Sequence, residues 1–317
     1  MINLQLVWPF LSGLVLSLIL MPLVIKYFRR KQLGQTTREI GPSWHQSKSG
    51  TPTMGGLAFI LSVTVTIALA FLIGTGTKDI ALLLMVFLVY GLIGFLDDYI
   101  KLVMKRNLGL TSLQKLLGQI LAALVFYFIA DVSTIVNLPF SLSIDLGFLY
   151  PLFVVFWLVG FSNATNLTDG IDGLLGTTSI LALLAYSFIA VWQEQYDVLL
   201  FILSLVGGLL GFLAFNIKPA KIFMGDVGSL AIGGVFASLS IILNQEWTLL
   251  FIGLVFAVET ASVILQVASY KTRGKRIFKM TPIHHHFEMN GYSEWKIVII
   301  FSVVTIITSL VTIWMVV

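Results

Sequence analysis

Asp97 and Asp98 stand side by side, with Lys101 one helical turn further on. Adjacent carboxylates repel unless a cation or a metal compensates them, and a lysine at i+4 from Asp97 and i+3 from Asp98 supplies part of that on one helical face. A second run, 163–174, spaces Asn166, Asp169 and Asp172 three residues apart and contains no Lys or Arg. In a helix that spacing lays a continuous arc along one face, whereas in a turn the same residue types serve backbone chemistry alone. A third run, 216–229, holds Asn216, Lys218, Lys221 and the segment Phe223-Met-Gly-Asp226-Val-Gly-Ser229. Its glycines let a ligand approach the backbone, and free amides at a helix start favour phosphate; Asp226 could equally cap that helix.

Two weaker signals complete the set. Pro282-Ile-His284-His285-His286-Phe-Glu288 lies in a loop rich in Lys and Arg. Three consecutive histidines lack the i, i+4 spacing of a helical zinc pair, and on an extended segment they alternate sides, so they suit hydrogen bonding to an anion better than zinc. An interfacial loop drawn to anionic lipid is the bland alternative. The run Lys48-Ser-Gly-Thr-Pro-Thr53-Met-Gly-Gly is a Gly/Thr-rich approach to a helix with one cation. Together, clustered Asp and Asn suit a hard cation such as magnesium, which takes one or two carboxylates plus substrate phosphates.

The elements that must position these residues are membrane helices. The chain is 317 residues long, 58% hydrophobic and 11% charged, against about 25% charged in an ordinary soluble domain. Apolar runs at 4–27, 53–73, 80–96, 112–130, 146–161, 174–192, 198–215, 227–243, 249–270 and 295–317 suggest ten crossings, the fifth being the shortest. The fourth has a capping-box start in Thr111 and Gln114. Threading ten spans puts 18 of the 19 Lys and Arg on one side and only Lys78 opposite. That bias makes the cation-rich loops cytoplasmic and both termini extracytoplasmic. The expected fold is therefore an all-α polytopic integral membrane protein of one domain, 1–317, with an uncleaved first span and a small external hairpin at 132–147. With no cysteine, disulfides and thiolate chemistry are excluded. All the polar clusters fall on the cytoplasmic side, which describes an enzyme handling a phosphorylated, water-soluble substrate there, with a lipid co-substrate entering between helices.

The Asp97-Asp98 pair with Lys101, the 163–174 run, the Phe223 to Ser229 segment and the histidine-bearing loop resemble the polyprenyl-phosphate N-acetylhexosamine-1-phosphate transferases. Within that family, Lys48 to Gly56 and Pro282 to Glu288 resemble the bacterial branch of phospho-N-acetylmuramoyl-pentapeptide transferases. The likeness covers essentially the full chain. It implies a magnesium-dependent transfer from UDP-MurNAc-pentapeptide to undecaprenyl phosphate, giving lipid I and UMP, at the cytoplasmic face of the bacterial inner membrane. By the same resemblance Asp97, Asp98 and Asp226 are catalytic acids, and Asp226 and Asp169 hold the metal. Asn166, Asp169 and Asp172 line the nucleotide-sugar site, and Phe223 stacks the uracil near Lys101 and Asn216. Lys48, Thr53, Lys115, His284, His285 and His286 border the same cleft. Membrane lipid is an expected partner and nucleic acid is not; a homodimer is left open. A sister transferase using UDP-N-acetylglucosamine stays open too. An ion-coupled transporter is disfavoured, because only Glu259 sits mid-span and no inverted repeat is visible.

Overall fold

The structure is a computed structural model describing residues 7–31, 50–102, 104, 109–140 and 142–317. Lys48 and Ser141 lie outside the described residues. The long elements are α1 (Val7–Arg30), α2 (Gly56–Leu72), α3 (Lys78–Leu102), α4 (Ser112–Ala130), α5 (Tyr150–Thr168), α6 (Leu174–Trp192), α7 (Tyr196–Asn216), α8 (Asp226–Ile242), α10 (Leu254–Arg273) and α12 (Glu294–Val316). Two short helices, α9 (Thr248–Ile252) and α11 (Ile283–Glu288), flank α10. Among the described residues eight helices are long and apolar enough to cross a membrane, so this is a multi-pass membrane protein; α2 and α8 are apolar but only 17 residues each.

Local chemistry sets the boundaries. Thr111 accepts from the Gln114 amide and Gln114 returns a bond to the Thr111 amide, so the capping box expected for α4 forms. A left-handed Gly173 (φ 78°) starts α6, and a left-handed Gly274 (φ 64°) ends α10. The hairpin expected at 132–147 is present as β1 (Ile135–Asn137) paired antiparallel with β2 (Ser143–Asp145). One expectation needs correction: the ninth apolar run is interrupted at Gly253, dividing it into α9 and α10. The histidine segment forms a short helix. The helix carrying Asn166 ends at Thr168, so of the helix and turn alternatives for 163–174 the run takes both in succession, and Asn166, Asp169 and Asp172 do not share one helical face.

The core centres on α8, whose residues 227–242 are all buried. Small side chains make this possible by letting neighbouring backbones come close. A Cβ on Gly233 would lie 2.3 Å from the Phe161 carbonyl of α5, and one on Gly94 would lie 2.1 Å from the Asp226 carbonyl. Helix α3 therefore rests directly on the start of α8, and its last turns reach the residues gathered there.

At the opposite end of α8, Glu246 is fully buried and accepts from Tyr150 Oη at 2.9 Å, while its Oε2 has no partner. Burial pushes its carboxyl up from 4.5 to about 7. A group held neutral in the fold stabilises fully below its unfolded pKa, and that contribution is lost as pH rises through the folded value. The melting midpoint in detergent should thus fall between about pH 5 and about pH 8. Glu246→Gln, which keeps an acceptor for Tyr150 but cannot ionise, should flatten that fall; an unchanged slope would assign the pH sensitivity to other groups.

Candidate active site

Asp97 and Asp98 occupy the last turns of α3 and are 1% and 6% exposed. Asp226 opens α8. Gly225 takes the N-cap position, so Asp226 is not the cap and its carboxylate is free for other partners. Lys115 Nζ contacts Asp226 Oδ2 at 2.8 Å and Asp97 Oδ2 at 3.3 Å. Lys101 Nζ pairs with Asp97 Oδ2 and lies 3.3 Å from Asp226 Oδ2. Asn166 Nδ2 donates to Asp226 Oδ1 at 2.8 Å and to Ser229 Oγ at 2.9 Å. Asp97 Oδ1 accepts the Leu110 amide at 2.9 Å, and Asp98 Oδ2 accepts the Val227 amide at 3.2 Å. Four helices, α3, α4, α5 and α8, thus each place a polar side chain on one point.

One oxygen each from Asp97, Asp98 and Asp226 lie within 4.8 Å of one another, the only such convergence of acids or histidines among the described residues. Three carboxylates against two ammonium groups leave one negative charge uncompensated when all are ionised. An oxygen-only donor set with excess negative charge, partly buried, fits a hard divalent cation such as magnesium. Asp169 stands beside this group: its carboxyl faces the Gly225 amide and feels the Asp226 charge. Burial first, then that charge, pushes Asp169 up to about 7. A Cβ on Gly225 would lie 2.5 Å from Asp98 Oδ2 and 3.1 Å from Thr53 Oγ1, so Thr53 and Asp98 meet across this glycine (φ 78°). That position needs Gly both for its left-handed backbone and for the space.

Two loops are clamped around the acids. Phe223 donates its amide to Pro52 O at 2.8 Å, and its carbonyl accepts from Gly55 at 2.8 Å, so the 52–56 segment runs along the approach to α8. Asn216 ties the approach to α8 to the start of α6 from behind: Oδ1 accepts the Gly173 amide at 3.0 Å and Nδ2 donates to Ile222 O at 2.9 Å. Asp172 Oδ2 accepts the Ala220 amide at 3.0 Å, and its own amide donates to Glu294 Oε2 at 3.1 Å. Asn216 and Asp172 are therefore tied to the loop backbones that carry Asp169 and Asp226.

The three histidines diverge. His284 is fully buried, with Nδ1 3.0 Å from Glu259 Oε1 and Nε2 against Gly170, where a Cβ would lie 2.1 Å from it. His285 Nδ1 pairs with Glu288 Oε2 at 2.7 Å, while His286 Nδ1 accepts the Lys279 amide at 3.2 Å. Of the three, His284 is the one seated directly on the Asp169-Gly170 turn.

Comparison with known proteins decides the family. Residues 80–244 match the model of glycosyl transferase family 4, and residues 48–60 match phospho-N-acetylmuramoyl-pentapeptide-transferase signature 1. The chain is 54% identical over 314 residues to the phospho-N-acetylmuramoyl-pentapeptide-transferase of Enterococcus hirae, covering 96% of this chain and 97% of the relative. It is 52% identical to that of Enterococcus faecalis, with 98% of each covered, and 51% identical to that of Staphylococcus haemolyticus, with 95% and 96% covered. The chain belongs to the phospho-N-acetylmuramoyl-pentapeptide transferase family. It is a membrane transferase of peptidoglycan synthesis.

The candidate site also draws on residues that spacing alone does not single out. Glu259 is visible in the sequence as a lone mid-span acid and His284 as one of three histidines, but their pairing across 25 residues is not. Glu294 joins Asp172 to Lys218, whose Nζ lies 3.1 Å from Glu294 Oε1. Gly94 carries no polar group and yet sets the distance between α3 and Asp226.

Gly94→Ala should therefore push Asp226 away from Asp97. Overpacking of this kind costs about 1–3 kcal/mol of stability, and a misplacement near 1 Å lowers turnover by roughly 100-fold. Transfer by the purified variant, scored beside its circular dichroism, checks this; full activity in a well-folded variant would show that the contact does not set the site.

Proposed function

We propose that this enzyme transfers phospho-N-acetylmuramoyl-pentapeptide from its uridine diphosphate carrier to undecaprenyl phosphate, releasing UMP and forming lipid I. The observation that carries this reading is the meeting of Asp97, Asp98 and Asp226 with Lys101 and Lys115 at one membrane edge, in a chain whose family handles that peptide-bearing sugar phosphate. The arrangement is of a single domain, 1–317, in which α2 and α8 join the eight longer helices as crossings. The count of 18 cations to one then supports cytoplasmic placement of the site and extracytoplasmic termini. Undecaprenyl phosphate reaches the acids laterally from the bilayer, and the nucleotide sugar arrives from the cytoplasm.

Asp226 is the best placed magnesium ligand, with Asp169 beside it and the oxygens of Asp97 and Asp98 within reach. Bound there, magnesium would neutralise charge on the diphosphate and make UMP a better leaving group. Lys101 and Lys115 hold negative phosphate oxygens near the acids while keeping Asp97 and Asp226 from repelling each other. Asn166 fixes the rotamer of Asp226 through the bond to Oδ1. Phe223 offers a face for the uracil, and Thr53 and the 284–286 histidines border the cleft around the sugar nucleotide, with Asp172 and Asn216 holding its loops in register; Lys48, as a cation, serves the same anionic substrate.

Direct displacement is the favoured course. A phosphate monoester, with a second pKa near about 6, is already largely ionised at neutral pH and needs little help from a base. Asp97 orients it or takes its residual proton, the phosphate oxygen forms the new P–O bond to the sugar-bearing phosphorus, and UMP leaves with the electron pair of the bond that breaks.

Asp97→Asn and Asp226→Asn should each lower transfer of UDP-MurNAc-pentapeptide to undecaprenyl phosphate by about 100-fold or more while the protein stays folded. Near-normal turnover by either purified variant would remove that residue from the mechanism. UMP release without the lipid acceptor, together with a trapped phospho-enzyme, would replace direct displacement by a covalent route. Stripping divalent metal with a chelator should abolish transfer and added magnesium restore it. Parallel assays with UDP-N-acetylglucosamine separate this substrate from that of the sister transferases.

A further inference from the structure

A second charged feature lies on the same membrane face, away from the acids. Helix α1 packs on α2 and α7, whereas the acids come from α3 and α8. The α1–α7 seam is a backbone contact: a Cβ on Gly207 would lie 2.1 Å from Phe10 O, and one on Gly13 would lie 2.2 Å from Ser204 O. Ser17 Oγ closes it by donating to Gly208 O at 2.8 Å. Where the seam ends, the two helix ends and the following loop enclose a groove of about 390 Å³. Ile25 and Phe215 give it an apolar floor, and Lys26, Arg29, Arg30 and Lys221 ring it.

Among the described residues no acid pairs with any of these four cations. Lys221 lies over the Phe215 ring, 5.9 Å from its centroid. Below the groove α1 exposes Leu11, Val15, Ile19 and Leu23, an apolar strip at the depth of the hydrocarbon. A soluble anion would use the cations and leave both floor and strip unused. An amphiphile with an anionic head and aliphatic chains uses all three, and basic pockets at helix ends of this kind suit lipid phosphates. Asp226 follows Lys221 by five residues, which places the groove at the same membrane edge as the acids.

We infer that the groove between the ends of α1 and α7 binds the phosphodiester head of an anionic membrane phospholipid, whose acyl chains lie along the exposed face of α1. The inference rests on helix placement in the bilayer and not on the transfer reaction.

The test is native mass spectrometry of the full-length protein from mixed micelles holding phosphatidylglycerol and phosphatidylcholine with the same acyl chains. Wild type should retain phosphatidylglycerol in preference by roughly tenfold or more, since each cation removed weakens attraction to an anionic lipid several-fold. K26Q/R29Q/R30Q should bring the ratio close to parity, and Lys221→Gln, on the opposite wall, should lower it several-fold, which covers the case of a triple variant that does not fold. The control K271Q/R273Q/K275Q, at the exposed end of α10, should keep the wild-type ratio. An equal loss in that control would mean diffuse attraction, and an unchanged ratio in both groove variants would mean no site; either overturns the inference. Displacement of the lipid by millimolar inorganic phosphate would make the groove a plain anion site, and displacement by polyprenyl monophosphate at equal concentration would make it an acceptor subsite. Each of those results also overturns the phospholipid assignment.

Discussion

Everything at the active edge of this protein answers one electrostatic problem: three carboxylates held within 4.8 Å of one another, two of them buried, beside a low-dielectric bilayer. At that separation each like-charged pair costs on the order of 3 kcal/mol in a partly solvated protein environment. Lys101 and Lys115 offset part of this, each contacting both Asp97 and Asp226. The backbone amides of Leu110 and Val227 offset more. What remains is a deficit of positive charge, the condition under which an oxygen-lined cluster suits a divalent cation. A site that was fully neutral would have no such appetite.

The scaffold serves this by bringing backbones unusually close. Glycine at position 94 seats α3 on the Asp226 carbonyl, glycine at 233 seats α5 on α8, and Gly56 lets the start of α2 meet Gly228. These contacts are what a membrane bundle can use in place of a hydrophobic driving force between helices. They also transmit position: because α8 is buried from Val227 onward, the residue that opens it has little freedom to move. The loops behind the site are fixed by a different device, polar side chains bonded to backbone amides, as Asn216, Asp172 and Glu294 show. Rigid helices and tied loops together allow a highly charged centre to persist without drifting apart.

Comparing residues with outcome shows where sequence reasoning has reach. Composition and apolar run length revealed a helical membrane protein because burial in lipid demands long apolar helices whatever their packing. The capping box at Thr111 and the hairpin at 132–147 were legible because both are local. The break at Gly253 was not, since a helix interruption inside an apolar run leaves no hydropathy trace, and the six-residue helix α11 was not, since it is too short to show a period. Asn166, Asp169 and Asp172 look alike by spacing, yet the helix ends between the first two, so one bonds Asp226, one faces the Gly225 amide and one braces Ala220.

The sequence by itself determined that acids, amides and lysines exist at helix ends in four separate stretches, and that one hard-cation and phosphate chemistry would suit them all. Residue type and local periodicity carry that information. Which of them meet was decided only by tertiary packing: Lys115 is 111 residues from Asp226 and His284 is 25 from Glu259, and no local pattern links either pair. The Lys115–Asp226 distance is set by how closely α3, α4, α5 and α8 approach, and that approach depends on glycines whose significance lies in the side chain they do not have.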